Sequence, residues 1–388
     1  MKRLIVLLLA VLFVSGLILS EAQAMPAFAR KYRMSCTTCH QPFPRLKAYG
    51  DDFAGNGFQL EDQDSPRYFV DTGDEELSLI RDFPFAVRFD SWIFNDGENE
   101  KGTDLRMPYG VKLLSGGALS EKFSYYFYFF MNERGSVAGL EDAFIMYNNA
   151  FGVDLDFYAG QFQISDPMFK RELRLTYEDY LLYKAAPGNS SLDLTYDRGL
   201  MITYGMPTGT GITLEVLNGS GIGAANADHS FDNDAHKNFF GHISQDFGEL
   251  LRFGGMGFYG SEDNAAGVTN DVLYYGVDGT IGLGPLEVNG QWIHRNDSDP
   301  LFLNNNAIEA DTDGILAEVI FWPHADASRW YCAALYNYID SDDNPLDSSS
   351  ATAHYGYLVR RNFRIGIEGT YDIELEKFRG GVGMVVAF

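Results

Sequence analysis

Cysteine is scarce in this chain of 388 residues: three, at positions 36, 39 and 332. That excludes a small fold stapled by disulfides. Long apolar runs are missing after Leu19, so no later segment offers the ~20 apolar residues that a spanning helix needs. Basic residues are also short, with 29 Lys and Arg against 54 Asp and Glu and a formal charge of −25. A chain of that sign repels phosphate backbones, which excludes a nucleic-acid partner. What is plentiful argues against a disordered acidic chain. Aromatic residues make up 15% of the sequence and glycine fills 41 positions, whereas solvating segments lack bulky side chains.

The N-terminus has the layout of a secretory signal peptide. Lys2 and Arg3 precede an apolar run from Leu4 to Leu19, and small residues at Ala22 and Ala24 mark a cleavage site. The run is short for an uncleaved anchor. Residues 1–24 are therefore expected to be removed, with Met25 as the mature start.

From Phe85 to Phe388 one theme repeats. Segments of about ten residues alternate apolar and polar side chains, separated by turn-rich stretches. In "FRIGIEGTYDI", Phe363, Ile365, Ile367 and Tyr371 share one face, while Arg364, Glu368, Thr370 and Asp372 share the other. About 16 such segments begin near Phe85, Arg106, Lys122, Leu140, Val153, Tyr196, Gly211, Lys237, Leu251, Asn270, Leu286, Thr312, Ser328, Ala351, Phe363 and Lys377. Short connections such as "DFGE" and "GLGP" alternate with long ones such as "NGSGIGAANADHSFDNDAH", "RNDSDPLFLNNNAIEADT" and "DSDDNPLDSSS". Apolar-out, polar-in alternation with turns of alternating length predicts an all-β fold, a transmembrane antiparallel β-barrel with its long acidic loops outside. The final "KFRGGVGMVVAF" resembles the closing strand of outer-membrane barrels. Cys332 falls on the lipid phase of its strand. The connection "SDPMFKRELRLTYEDYLLYKAAPGNSS" carries Lys170, Arg171 and Arg174. Its Leu173, Tyr177, Tyr180 and Leu181 follow a helical pattern. It is expected either to fold into the lumen or to lie across the rim.

The front of the mature chain is different. "SCTTCH" places Cys36, Cys39 and His40 in the CxxCH pattern of covalent haem attachment. Two thiols on one helical turn can each add to a vinyl group, and the following His then ligates the iron. A redox dithiol would sit in a βαβ pattern, and a zinc site would need a second Cys/His pair; the sequence has neither. Phe43, Leu46, Tyr49 and Phe53 follow at helical spacing, with Pro44 suited to a first turn and Gly55 or Gly57 to the end. Residues 25–60 are too few to build an ordinary cytochrome core alone. They need a container, and a lumen behind the linker 61–84 offers one. Tyr126, Tyr128 and Phe130 fall on the lumen phase, where they can pack on such a plug. The distal iron ligand is open. Met34 lies too near the motif, leaving the lumen-phase candidates His242, His354, Met146, Met201 and Met256; of these His242 shares a face with Asn238, Ser244 and Asp246.

The combination of Phe28-Ala29-Arg30, Ser35-Cys36, Cys39-His40, Phe43-Pro44, Leu46, Tyr49-Gly50, Phe53 and Gly57-Phe58 with a following barrel resembles the fused monohaem cytochrome–porins of bacterial outer membranes. The best-known members are iron oxidases of Fe(II)-oxidising bacteria. The resemblance implies one covalent haem c inside a porin-like barrel in the outer membrane, entered by the cytochrome segment from the periplasm. It implies electrons passing between extracellular donors such as Fe(II) and periplasmic c-type cytochromes, as in an Fe(II):cytochrome c oxidoreductase. A substrate-selective porin with a cytochrome plug or sensor, and the same conduit running outward, are the alternatives.

Overall fold

The computed structural model describes residues 27–60, 69–74, 76–96, 102–232, 234–303 and 306–388. The expected signal peptide at 1–24 and the first part of the expected linker lie outside these residues.

Sixteen strands form a closed barrel. They are β1 Phe85–Asn95, β2 Thr103–Ala118, β3 Phe123–Glu133, β4 Gly139–Tyr147, β5 Leu155–Gln163, β6 Tyr196–Gly205, β7 Thr210–Leu217 and β8 Asn238–Phe247. The circuit continues with β9 Leu251–Asp263, β10 Thr269–Leu283, β11 Leu286–Asp297, β12 Ala310–Phe321, β13 Trp330–Ser341, β14 Ser348–Arg360, β15 Phe363–Asp372 and β16 Lys377–Ala387. Each starts within three residues of its expected position. Every strand pairs antiparallel with its chain neighbours, and β16 closes on β1 with Ala387 opposite Arg88 and Gly380 opposite Asn95. Closure leaves no unpaired edge, which is the condition for crossing hydrocarbon with strands.

The alternation sorts side chains as expected. Arg364, Glu368 and Thr370 of β15 are buried toward the lumen, while Ile367 and Tyr371 face outward. Leu200, Leu214, Ile243, Phe253 and Ile367 belong to the exposed apolar belt, the surface that lipid covers in a spanning barrel. Cys332 lies on this outer face. The short turns share one end with Phe85 and Ala387. The long connections 164–195, 218–237, 298–309 and 342–347 share the other.

The connection 164–195 folds into the lumen and not over the rim. It does not form the amphipathic helix that Leu173, Tyr177, Tyr180 and Leu181 predict; only the short 3-10 turns Arg171–Leu173 and Leu181–Lys184 are helical. Wall side chains take up backbone groups that a helix would use internally. Glu368 accepts from the Tyr177 and Glu178 N–H groups at 2.6 and 2.8 Å. Asn337 accepts from the Leu181 N–H at 3.2 Å and donates to the Asp179 carbonyl at 3.0 Å. Arg364 and Arg295 donate to the carbonyls of Leu175 and Ala185. Beside these bonds Ile164, Met168, Leu182, Tyr183 and Leu194 pack against wall residues Phe240, Phe258, Val272, Ile293 and Leu316. That part of the lumen holds an apolar core where the sequence suggested water.

Charge holds the loop as firmly. Glu172 meets Lys112 of β2 at 2.8 Å, with Arg171 and Arg174 beyond. Asp179 meets Arg171 at 3.1 Å and Lys184 at 2.5 Å. Burial works against the Asp179 carboxylate, but Arg174, Arg171 and Lys184 outweigh it and hold its pKa at about 2. Its folded value lies below the unfolded value of about 3.9. Its contribution is therefore complete above that value and lost as pH falls toward 2. In planar bilayers, acidification from about pH 4 to pH 2 is expected to raise the ion conductance of the barrel as the loop lets go. A conductance that stays flat across that window would contradict this account of the loop.

Candidate functional site

The segment 27–60 builds its own small unit. Helices α1 Ala27–Tyr32, α2 Cys36–Cys39 and α3 Ala48–Gly55 surround a core of Tyr32, Phe53 and Phe58. The Phe28 and Phe58 rings stack with centroids 4.9 Å apart. The Tyr32 hydroxyl donates to the Phe58 carbonyl at 2.6 Å.

Residue by residue, the motif is set up by local bonds. Ser35 caps α2 by accepting from the Thr37 N–H at 3.3 Å. The single turn that follows carries both thiols, and both are free. The His40 N–H closes the turn on the Cys36 carbonyl at 2.8 Å. The His40 ring then donates from Nδ1 to the Pro44 carbonyl at 2.7 Å. This leaves Nε2 as the nitrogen able to bind a metal, and a carbonyl hydrogen-bonded to Nδ1 is how ligating imidazoles are usually oriented. Burial pushes the His40 pKa down, which favours the neutral ring that ligates. Burial pushes both thiols up. A redox dithiol needs a depressed thiol pKa, so this pair is poor material for one.

The aromatic residues after the motif do not share one helical face. Residues 40–46 form a tight loop instead, with His40 bridged to Leu46 and the Gln41 N–H bonded to the Arg45 carbonyl at 2.9 Å. The helix begins only at Ala48, so Pro44 does not open it. Phe43 turns to the wall and packs on Val385 and Ala387. Phe53 enters the segment's core, while Tyr49 is exposed. Leu46 lies under Gly50, where α3 crosses α2 so closely that a Cβ would sit 2.4 Å from the Cys39 carbonyl oxygen.

The segment is fixed inside the end of the barrel that carries the short turns. Phe58 stacks on Tyr126 of β3 at 5.3 Å. Gly57, at φ +63, fits where any Cβ would strike Ser124 and Asn148. Arg45 pairs with Glu287 of β11, and Lys47 with Asp326 of the turn after β12 at 3.0 Å. Asp51 meets Lys170 of the inward loop at 3.1 Å, so the two fillings of the lumen touch. Tyr128 and Phe130 pack instead around the Lys112 ammonium.

Between the motif and the wall lies a narrow cleft. Cys36, His40 and Phe43 line one side; Trp322, Trp330, Leu358 and Arg361 line the other. Nothing local in the sequence marks these four wall residues, although two tryptophans in the turn "FWPHADASRW" are a signal in hindsight. The residue types fit a haem c, with two thiols on one turn, an oriented imidazole, apolar rings opposite and a guanidinium for an anionic edge, although only Cys36 of the two thiols lines the cleft and Cys39 packs toward the segment's own core. His242 does not line this cleft; its Nε2 lies 2.8 Å from Asp278. His354 Nδ1 is engaged by Glu368 at 2.9 Å. Met146 and Met256 are buried in the wall, and Met201 packs against the main core. Met34 lies 4.0 Å from Cys39 through its sulfur. None of these reaches the cleft at His40.

No family model matches the chain, and no curated protein matches it. Solved structures do. In-vitro folded OmpT of Vibrio cholerae, an outer membrane protein in its trimer form, aligns at 13% identity and a TM-score of 0.57 over 79% of this chain and 99% of that one. The barrel is a porin-like fold. The anion-selective porin of Comamonas acidovorans aligns at 11% identity and a TM-score of 0.58, covering 78% of this chain and 98% of its own. The outer membrane channel DcaP of Acinetobacter baumannii gives 12% identity and 0.54 over 79% and 96%. At such identities the likeness carries the architecture and no more.

The close crossing at Gly50 can be tested. Gly50→Ala must push α3 off α2, an overpacking cost of ~1–3 kcal/mol. Faster tryptic cleavage after Arg45 and Lys47 is expected, since both are held by ion pairs to the wall. Unchanged cleavage would show that the crossing does not position the motif.

Proposed function

We propose that this protein is an outer-membrane electron conduit with one covalent haem c held between the CxxCH segment and the barrel wall. The observation that carries this reading is the His40 imidazole, fixed by Pro44 with Nε2 left for a metal, beside two free thiols and an apolar cleft. Cys36 and Cys39 would hold the group covalently and His40 would ligate its iron. When bound, haem c supplies a one-electron iron couple. Phe43, Trp322, Trp330 and Leu358 exclude water from the site, and Arg361 offers a charge to an anionic edge.

The acidic long-loop end suits a cationic donor. The long-loop end carries Asp342, Asp343, Asp347, Glu374 and Glu376, which concentrate cations such as ferrous iron near the mouth. The short-turn end holds the motif, within reach of a periplasmic c-type cytochrome. The porin-like fold favours a second reading, a solute channel with a redox plug, but the packed loop weighs against an open pore.

The test is the purified protein in liposomes with a redox dye trapped inside and Fe(II) added outside. Dye turnover without solute leakage is expected, with loss of turnover in Cys36→Ala/Cys39→Ala. Leakage without dye response, or undiminished turnover in the double variant, would overturn the conduit.

A further inference from the structure

The inward loop leaves one part of the lumen open. Against β1, β2, β3, β15 and β16 lies a cleft whose lining runs out to Arg134, at the long-loop end. Six cationic side chains line it: Arg88, Lys112, Arg134, Arg171, Arg174 and Arg364. The acidic lining residues are Asp90, Glu133, Glu172 and Asp179. All four are paired with lining cations, Glu133 with Arg134 at 3.9 Å. Asp90 meets Arg88 at 2.9 Å, Glu172 is shared by Lys112, Arg171 and Arg174, and Asp179 lies between Arg171 and Arg174. The cavity is thus net cationic in a chain whose formal charge is −25.

We infer that this cavity binds a small organic polycarboxylate, free or as its metal complex. Guanidinium groups match carboxylates in a planar, two-pronged geometry that an ammonium lacks. Trp92, Phe130 and Val385 add apolar lining, which suits an organic anion better than a bare inorganic one. The acidic outer loops oppose an incoming anion, but their field decays over about 8 Å in physiological salt. Inside the mouth the local cations govern. The floor matters for function. Val385 lines the cavity and packs on Phe43, whose ring lies 5.5 Å from that of His40. The side chains of Val385 and Phe43 separate a chelated metal seated there from His40. That relevance to function rests on the conduit reading, whereas the binding does not.

Isothermal titration of the full chain in detergent, with citrate and separately with ferric citrate, tests the site. Saturable binding that weakens with salt is expected, roughly tenfold weaker in Arg134→Glu and only partly restored in Arg134→Lys, which returns the charge but not the two-pronged geometry. Binding of both probes makes the anion the ligand; binding of ferric citrate alone makes it the metal complex. Cys36→Ala/Cys39→Ala should bind as the parent does, which separates this site from the haem proposal. Absence of saturable binding for both probes at low salt, or equal affinity in Arg134→Glu, would overturn the inference.

Discussion

A strand that crosses a membrane settles its backbone with its neighbours, and sixteen of them close on a lumen that must then be filled or flooded. Here it is filled, and the filling depends on one loop fixed by charge. Glu172 and Asp179 are held by Lys112, Arg171, Arg174 and Lys184, while Glu368, Asn337, Arg295 and Arg364 take up the loop's backbone groups. Buried polar groups are costly unless they are fully partnered. The wall supplies those partners, so the loop gains a unique path across the lumen without forming a regular helix.

That path supports a second guest. The segment 27–60 is too small to bury a stable core alone, and its few aromatic contacts are completed by the barrel. Tyr126, Val385 and the turn between β12 and β13 supply the missing surfaces, and Lys170 ties the segment to the inward loop. The barrel acts as the outer shell of this small core. Placing the motif at the short-turn end puts it next to one compartment, with the basic cavity reaching toward it from the other.

Much of this was legible in the chain. Alternation at period two is local and physical, so all sixteen strands could be counted, and the spacing of two thiols and a histidine is equally local. Three features were not. Leu173, Tyr177, Tyr180 and Leu181 are spaced for a helix, but wall side chains captured the backbone bonds the helix needed. Phe43 and Phe53 are also spaced for one helix, yet the His40–Leu46 bridge turns the chain between them and sends Phe43 to β16. The inward phase of His242 was correct, but its partner is Asp278 on β10, reached across the intervening β9, a juxtaposition that sequence alone does not align. Trp322, Trp330, Leu358 and Arg361 meet the motif only because the barrel closes, and closure is a property of all the strands together.

The central claim is that Cys36 and Cys39 carry a covalent group in this lumen. Its most direct measurement is the intact mass of the mature protein under denaturing conditions. The account predicts the chain from Met25 plus one haem, with the added mass gone in Cys36→Ala/Cys39→Ala. The mass of the bare chain, with both thiols free to alkylate, would contradict it.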